Sequence, residues 1–270
     1  MSEDWLRATS RPVTPIKIDT SVPNVARVWN YLVGGRDNFE ADRKAARLLI
    51  SAAPVMADCG PASRAFLRRA VTYLAEQAGI RQFLDIGTGM PTGGNTHEVA
   101  QAAAPGCRIV YVDNDPIVLT HARALLRSEA GGVSFLDADA RDTAAVIDGA
   151  GETLDLEQPV AVVMIDILNF LPDPLAVMAG LLAPLPSGSY LAMMQPTTDK
   201  RLAAAAERWN RISPVQVHLR DRATVEGWIA ALGLDPVKPG IAEVDRWRPL
   251  SGEPRYPGGM PLLGAVARKP

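Results

Sequence analysis

The sequence predicts an α/β fold in which a mostly parallel sheet follows an N-terminal helical extension. From residue 82 onward short apolar runs alternate with capped helices, which is typical of parallel strands joined by crossover helices. A glycine-rich turn follows the first of these runs. Before residue 80, apolar residues recur at the spacing of amphipathic helices. Two regions are therefore predicted, the helical extension at 1–80 and the sheet domain at 81–270.

The helical extension begins with about twenty polar residues that show no period and are interpreted as a tail or an arm. Three helices are predicted after it, over residues 24–32, 37–52 and 61–78. The first ends at Gly34 and Gly35, because a glycine pair interrupts a helical pattern. Asp37 and Glu40 have the spacing of a capping box for the second helix, and Pro61 suits the first turn of the third.

The sheet domain is predicted from the order of its apolar runs and caps. Strands are expected at residues 82–86, 108–112, 133–136, 160–165, 189–194 and 264–267. Helices are expected at residues 95–103, 116–127, 174–182, 200–209 and 223–232. The stretch 249–261 is rich in proline and glycine and is interpreted as a loop before the last strand.

Composition and charge limit the classes of partner. The formal net charge is -2 and the pI is about 6.0, so no broad attraction for nucleic acid or an anionic membrane is expected. The longest apolar run, 160–171, contains polar residues, and neither a membrane span nor a secretion signal is expected. Cys59 and Cys107 form no CxxC pair and no cluster with histidine, so no metal site or disulfide framework is indicated. The expected location is the cytoplasm.

The glycine-rich turn, DIGTGMPTGGN at 85–95, carries the strongest functional signal. Its glycines let the backbone approach a ligand closely, and a valine at Gly87 is expected to occupy ligand space. A dinucleotide site would have a third glycine where this chain has Thr92. Asp85 would repel a pyrophosphate but can hold the ammonium group of a methionine moiety. The turn therefore favours S-adenosylmethionine. The predicted contacts of its methionine end are Asp85, Gly87, Thr88 and Gly89.

Carboxylates also follow the next two predicted strands. Asp113 ends the second strand beside the glycine turn, where a carboxylate can accept hydrogen bonds from both ribose hydroxyls. Asp139 follows the third strand and is expected to accept from the adenine amine, with the Ala140 N–H facing the ring. Asp115 and Asp142 have a simpler interpretation as helix N-caps.

Four stretches together resemble the actinobacterial S-adenosyl methyltransferase family first catalogued as DUF574, a domain of unknown function. They are VARVWNYLVGGRDNFEAD at 25–42, LDIGTGMPT at 84–92, YVDNDP at 111–116 and ARKP at 267–270. The resemblance implies a Rossmann-like class I methyltransferase sheet of seven strands, the last antiparallel. It implies cofactor contacts at Asp85, Gly87, Gly89, Asp113, Asn114, Asp139 and Ala140. It implies no particular acceptor, because the substrates of the family are poorly defined.

Three residues are candidates for catalysis: His97, Asp166 and Asn169. Methyl transfer from a sulfonium requires an acceptor held close to the methyl group, and a general base is optional. His97 can instead be a polar residue in the first turn of a helix capped by Asn95 and Glu98. Asp166 and Asn169 follow the fourth strand and can contact either the methionine end or the acceptor. Such proteins often carry a histidine where this chain has Asn169, which puts a shared catalytic role there in doubt.

The helical extension is expected to form a lid over the cofactor and to build the acceptor pocket. Tyr31 and Arg36 lie beside the flexible glycine pair and are predicted to contact the cofactor. His121 and His218 are interpreted as surface or edge residues. The predicted function is methyl transfer from S-adenosylmethionine to a small-molecule acceptor. The alternatives are a cofactor-binding regulator without turnover and an NAD(P)-dependent oxidoreductase, the latter opposed by the sequence of the glycine turn.

Overall fold

The computed structural model describes residues 19–118, 120 and 132–270. The described helices are α1 (Val25–Leu32), α2 (Glu40–Ala52), α3 (Met56–Glu76), α4 (Thr96–Ala103), α5 (Thr143–Gly151), α6 (Pro174–Leu182), α7 (Lys200–Ile212) and α8 (Arg222–Ala231). The described strands are β1 (Gln82–Ile86), β2 (Arg108–Asp113), β3 (Val133–Asp137), β4 (Ala161–Met164), β5 (Tyr190–Pro196), β6 (Asp235–Pro236), β7 (Ala242–Glu243) and β8 (Leu262–Arg268). Residues 116–118 and 120 are helical. Most of the helix predicted at 116–127, most of the N-terminal arm and His121 lie outside the described residues.

The strands form one sheet in the order β3-β2-β1-β4-β5-β8-β6, with β7 paired to β8. Strands β1 to β5 are parallel, and β8 is antiparallel to β5. The predicted Rossmann-like α/β fold with an antiparallel last strand is thereby confirmed. The strands that the sequence did not reveal, β6 and β7, have two residues each, which is too short for a periodic signal.

Helices cover both faces of the sheet. In β1, Phe83 packs into a core with residues of α3 and α4, whereas Leu84 and Ile86 pack on the opposite face with residues of α5, α6 and α8. Strands that are buried on both faces are apolar throughout rather than alternating. This explains why β4 and β5 stand out in the sequence as continuous apolar runs.

The start of α2 differs from the prediction. The helix begins at Glu40, and the carboxylate that caps it belongs to Asp42, which accepts a hydrogen bond from the Phe39 N–H at 2.8 Å. The expected capping box of Asp37 and Glu40 is therefore wrong. Glu40 is instead an exposed residue that pairs with two arginines one and two turns later on the same helix.

The start of α3 also differs, because the helix begins at Met56 and Pro61 lies inside it, beyond the first turn. A proline there removes one backbone hydrogen bond of the helix. The helix nevertheless packs tightly against α1 just before the proline, since a Cβ on Gly60 would lie 2.7 Å from the Leu32 carbonyl oxygen. The helix thus begins before Pro61, which the sequence indicated as its start, and tertiary packing stabilises these earlier residues.

A third, smaller core joins the helical extension to α7. Its buried members include Val28, Leu32, Leu49, Ala205 and Trp209. A buried ion pair connects α1 with α2, with Arg27 Nε at 2.9 Å from Asp42 Oδ2. Because α7 follows β5, this core holds α1 and α2 beside the carboxyl end of the sheet. The division of the chain at residue 80 and the role of the extension as a lid stay predictions.

Candidate functional site

A cavity of about 760 Å³ lies along the carboxyl edge of the parallel strands. Open α/β sheets bind ligands in the crevice outside this edge, and the volume lies in the upper range of small-molecule sites. The residues that follow β1, β2 and β3 line one end, which we call the glycine half. The residues that follow β4 and β5, together with α1, α2, α7 and the loop 214–219, line the other end, which we call the apolar half.

The glycine turn leaves open space at one of its two tight positions. Gly87 and Gly89 both have a positive φ, 73° and 66°, which strains other residues. A Cβ on Gly87 would lie 2.8 Å from the side chain of Ile167, whereas a Cβ on Gly89 would meet nothing within 4 Å. The expected reason for glycine at 87 is therefore wrong, because a side chain there would collide with the protein itself. Gly89 is the glycine that borders open space.

The amide groups of the turn are already bonded within the protein. The Gly87 N–H donates to the Val112 carbonyl at 2.8 Å, and the Thr88 N–H reaches the same oxygen at 3.3 Å. The Gly89 N–H donates to Asp113 Oδ2 at 2.9 Å. Just before α4, the Gly94 and Asn95 N–H groups donate to Glu98. A pyrophosphate requires free N–H groups at these positions, so the turn is unsuited to a dinucleotide.

Asp85 lines the cavity from β1 and is only 7% exposed. The Thr96 hydroxyl donates to its Oδ2 at 2.6 Å. Desolvation raises the pKa of Asp85 to about 6, although the Thr96 hydrogen bond and the nearby Arg64 charge act in the opposite direction. Because ionisation of a buried carboxylate is costly without a partner, this position favours a ligand with a positive charge.

Asp113 closes β2 with both carboxylate oxygens fixed by backbone hydrogen bonds. The Gly89 N–H donates to Oδ2 and the Asp115 N–H to Oδ1, each at 2.9 Å. Desolvation nevertheless raises the pKa of Asp113. Each oxygen can accept a further hydrogen bond, which suits a pair of neighbouring hydroxyls. Asn114 is exposed at the rim, and Asp115 caps the next helix through the Ile117 N–H at 2.8 Å, as predicted.

Asp139 and Ala140 line the same half after β3. Asp139 accepts from the backbone N–H and the Nε of Arg141, each at 2.9 Å, and from the side chain of Asn114. The hydrogen bond from Arg141 is the main reason that the pKa of Asp139 falls to about 2. The structure therefore brings together the acidic residues predicted after the first three strands. Their contacts with a cofactor stay predictions.

His97 does not line the cavity. It is buried, and its Nδ1 and its backbone N–H each lie 2.8 Å from the Tyr111 hydroxyl. Because that hydroxyl accepts from the backbone N–H, its own proton is available to a neutral His97 Nδ1. Burial also lowers the pKa of His97. This geometry favours the structural interpretation of His97, and its predicted catalytic role gains no support.

Asp166 lies after β4 at the border between the two halves, because β4 is the neighbour of β1. It has a positive φ of 63°. Its carboxylate accepts hydrogen bonds from the Ser63 hydroxyl of α3 and the Trp29 indole of α1. Desolvation raises the pKa of Asp166 to about 7. Residues held in such a rare backbone conformation by their surroundings cluster at functional sites.

Asn169 and His218 meet on the far side of this border. Asn169 is buried, and its backbone carbonyl oxygen accepts from the backbone N–H of His218 at 2.8 Å. Both residues line the cavity. Asn169 is thus placed at the cavity, as the sequence predicted for a candidate residue. His218 is half-buried there rather than at the surface, and the irregular loop that carries it gave no signal of this position.

Tyr31 and Arg36, which were predicted to contact the cofactor, do not line the cavity. Tyr31 is half-buried and bonds with Arg47 of α2, and Arg36 is exposed. The reason is the direction of α1, which presents Trp29 and Asn30 to the cavity. The polar residues around the glycine pair therefore connect helices instead of facing a ligand.

Three residues of the extension reach the site without having been predicted: Trp29, Ser63 and Arg64. Arg64 lines the cavity and donates through Nη2 to the Gly94 carbonyl at 2.7 Å. Its charge lowers the pKa of Asp85 and of Asp166. In sequence Arg64 resembles the other arginines of α3, because the loop that it contacts lies thirty residues away.

Within the described parts of the chain, no helix is long and apolar enough to cross a membrane. The same residues contain no group of three or more side chains that could hold a metal ion. Cys59 and Cys107 are both free and buried.

The sequence profile of the S-adenosyl methyltransferase family matches residues 12–270. The chain belongs to this family. The methyltransferase is 41% identical to a DUF574 family protein from Streptomyces avermitilis MA-4680, with 94% of this chain and 100% of that chain covered at a TM-score of 0.88. It is 34% identical to a candidate methyltransferase from Thermobifida fusca YX, with coverage of 96% and 99% and a TM-score of 0.86. A comparison with curated protein sequences gives no match.

A more distant similarity supports the fold alone. An O-methyltransferase family 2 protein from Planctomyces limnophilus DSM 3776, in complex with apigenin, is 18% identical over 86% of this chain and 63% of that chain, with a TM-score of 0.50. The family assignment confirms the predicted resemblance, the class I fold, the S-adenosylmethionine cofactor and the methyltransferase function. It identifies no methyl acceptor.

Proposed function

We propose that the methyltransferase holds S-adenosylmethionine in the glycine half and a small-molecule acceptor in the apolar half, and that it acts by positioning the two. One observation carries the proposal: a single cavity spans both halves, with Asp166 at the border. S-adenosylmethionine supplies a methyl group on a positively charged sulfur. The protein then has to hold the acceptor against that methyl group and to exclude water.

The residues of the glycine half fit this cofactor. Gly89 borders open space, and the amides of Gly87, Thr88 and Gly89 are occupied within the protein, so a ligand without phosphate is favoured. Asp85 suits the ammonium group and Asp113 the two ribose hydroxyls. Asp139 and the Ala140 N–H suit the adenine edge. The remaining proposed contacts are Gly87, Thr88 and Asn114.

Arg64 completes the methionine end of the proposed site. Its positive charge acts on both Asp85 and Asp166, since it lowers the pKa of each. It donates to two loop carbonyls through one terminal nitrogen, Nη2. Its other guanidinium donors suit a carboxylate, which a guanidinium binds more strongly than neutral acceptors. We therefore propose that Arg64 binds the methionine carboxylate, opposite the ammonium group at Asp85.

The helical extension is proposed to act as the lid of this site. Asn24 donates through Nδ2 to Asp115 Oδ2 at 2.7 Å, and its N–H donates to Asp42 Oδ1 at 2.9 Å. This places a direct bond between the extension and the loop that carries Asp113. A lid held at the proposed ribose end can respond to cofactor binding and close the cavity to water.

Calorimetry with S-adenosylmethionine, S-adenosylhomocysteine and NADH tests the proposal. We expect binding of the first two and no binding of NADH, which would also remove the oxidoreductase alternative. A regulator without turnover would have the same affinities, and release of S-adenosylhomocysteine in a metabolite screen distinguishes it from the enzyme. The two buried free thiols support a reducing location, and we propose the cytoplasm.

A further inference from the structure

The charge distribution of the cavity separates its two halves. Among the described residues that line it, the arginines are Arg64 and Arg141, and no lysine is present. Arg141 is paired with Asp139, and Arg64 lies against the carbonyls of the glycine loop. The apolar half therefore contains no described arginine or lysine, while Asp166 lies at its border with the glycine half. Since Arg64 is assigned to the methionine carboxylate, an anionic acceptor would meet the Asp166 carboxylate without a further arginine or lysine to balance its charge, which is costly in a partly desolvated site.

The walls of the apolar half are mostly hydrocarbon and aromatic. They include Trp29, Leu32, Leu49, Leu202, Ala205 and Trp209. These residues come from α1, α2 and α7, and all except Leu202 belong to the third core or pack against it. Such a wall binds a ligand through buried apolar surface, at roughly 25 cal/mol per Å².

One polar group at the border of this wall has hydrogen-bonding capacity left for a ligand. The Asp166 carboxylate accepts from Ser63 and Trp29 and retains capacity for a further donor. Asn30 also lines the cavity, but its Nδ2 is enclosed and its amide group lies against Gly35. Asp166 is therefore the polar group at this border that favours a ligand group able to donate a hydrogen bond.

From these observations we infer that the methyl acceptor is a neutral, largely apolar small molecule with a hydroxyl group that donates to Asp166. This inference rests on the proposed function, because it assumes that the cofactor occupies the glycine half. It assigns Asp166 to the acceptor rather than to the methionine end. It also assigns specificity against carboxylate-bearing acceptors to the same residue.

The test uses the full-length protein saturated with S-adenosylhomocysteine and three probes of one shape: 2-naphthol, 2-methoxynaphthalene and 2-naphthoate. We expect calorimetry to show that 2-naphthol binds at least about tenfold more tightly than the other two, because it alone can donate to Asp166 without a repelled charge. In Asp166→Asn the preference over 2-naphthoate should fall to about threefold or less. Asparagine tolerates a positive φ and can still accept from Ser63 and Trp29, so the variant should fold.

A matched pair of α7 variants tests the location. Ala206 lines the cavity, whereas Ala203 on the same helix is exposed and does not. Ala206→Trp should abolish binding of 2-naphthol and leave the affinity for S-adenosylhomocysteine within about threefold, while Ala203→Trp should change neither. Equal loss in both variants would overturn the proposed location.

The outcomes distinguish this inference from the proposed function. If the wild-type protein does not bind S-adenosylhomocysteine, the proposed function fails. If it binds S-adenosylhomocysteine but 2-naphthoate binds as tightly as 2-naphthol, or 2-naphthol does not bind, the inference about the acceptor is wrong. If Asp166→Asn loses more than about tenfold in affinity for S-adenosylhomocysteine, Asp166 belongs to the methionine end and the assignment is overturned.

Discussion

The two halves of the cavity are built in different ways. The glycine half is made by residues that directly follow three adjacent strands, such as Asp113 and Asp139, and its groups are fixed by backbone hydrogen bonds. The apolar half is made by side chains from α1, α2 and α7 and an irregular loop. The first half is therefore a property of strand ends, and the second is a property of helix packing. The difference predicts that variants of the glycine half lose cofactor affinity, whereas variants of the apolar half change acceptor binding.

The largest effect is expected at Asp113. Two hydrogen bonds from ribose hydroxyls to a carboxylate contribute roughly 1.5–3 kcal/mol each, so Asp113→Ala should weaken cofactor binding on the order of a hundredfold or more. Asp137→Ala is the matched control, because this carboxylate ends the adjacent strand but is exposed. Calorimetry on both folded proteins checks the difference, and unchanged affinity in Asp113→Ala would remove the ribose assignment.

The charge of Asp85 should lower the stability of the cofactor-free protein but raise its affinity for S-adenosylmethionine. The pKa of Asp85 in the folded protein is about 6, above the unfolded value of roughly 3.9. Ionisation therefore destabilises the fold progressively as the pH rises through this interval, and fully above it. Asp85→Asn should stabilise the cofactor-free protein by on the order of 1–2 kcal/mol at about pH 8 and by much less at about pH 4.

Thermal unfolding at these two pH values checks this prediction, with calorimetry of S-adenosylmethionine binding beside it. The same substitution should weaken cofactor binding at the higher pH, because the ammonium group loses its carboxylate. A variant that is less stable than the wild-type protein at about pH 8 would show that the Thr96 hydrogen bond to the charged carboxylate outweighs desolvation.

Arg64 should discriminate between ligands with and without an amino-acid end. Arg64→Gln is expected to weaken S-adenosylmethionine binding about tenfold, since a charge-assisted hydrogen bond is lost. Binding of 5′-methylthioadenosine, which has no carboxylate, should stay within about twofold. Arg68→Gln is the control on the same helix, because Arg68 pairs with Glu253 away from the cavity. An equal loss for both ligands would show that Arg64 only shapes the loop.

The smallest effect is expected at the contact between the extension and the glycine half. Asn24→Ser keeps an N-cap for α1, because serine is also a good cap, but the shorter side chain cannot reach Asp115. We expect S-adenosylhomocysteine to dissociate a few-fold faster with little change in thermal stability. Stopped-flow dissociation measures this directly. An unchanged rate would argue that the extension packs against the site without acting as a lid.

Particular residues show how far sequence reasoning reached into the site. Asp85 was predicted at the cavity because it lies two residues before the first glycine of the turn, and Asp113 and Asp139 because they end or follow a strand whose apolar run is plain in the sequence. Tyr31 and Arg36 were predicted from composition alone, and the direction of α1 places Trp29 and Asn30 at the cavity instead. Side-chain direction on a short helix depends on what the helix packs against, which is a long-range property.

The sequence by itself determined where the longer strands lie along the chain, the glycine turn that follows the first of them and the acidic residues at the strand ends. These follow from local patterns, because the carboxyl ends of adjacent parallel strands always meet at one edge of a sheet. Only the tertiary structure decided that Ser63 and Trp29 converge on Asp166 and that Arg64 faces the glycine loop. Those contacts join residues about thirty to more than a hundred positions apart, and no local pattern encodes them. They depend on how α1 and α3 pack over the edge of the sheet.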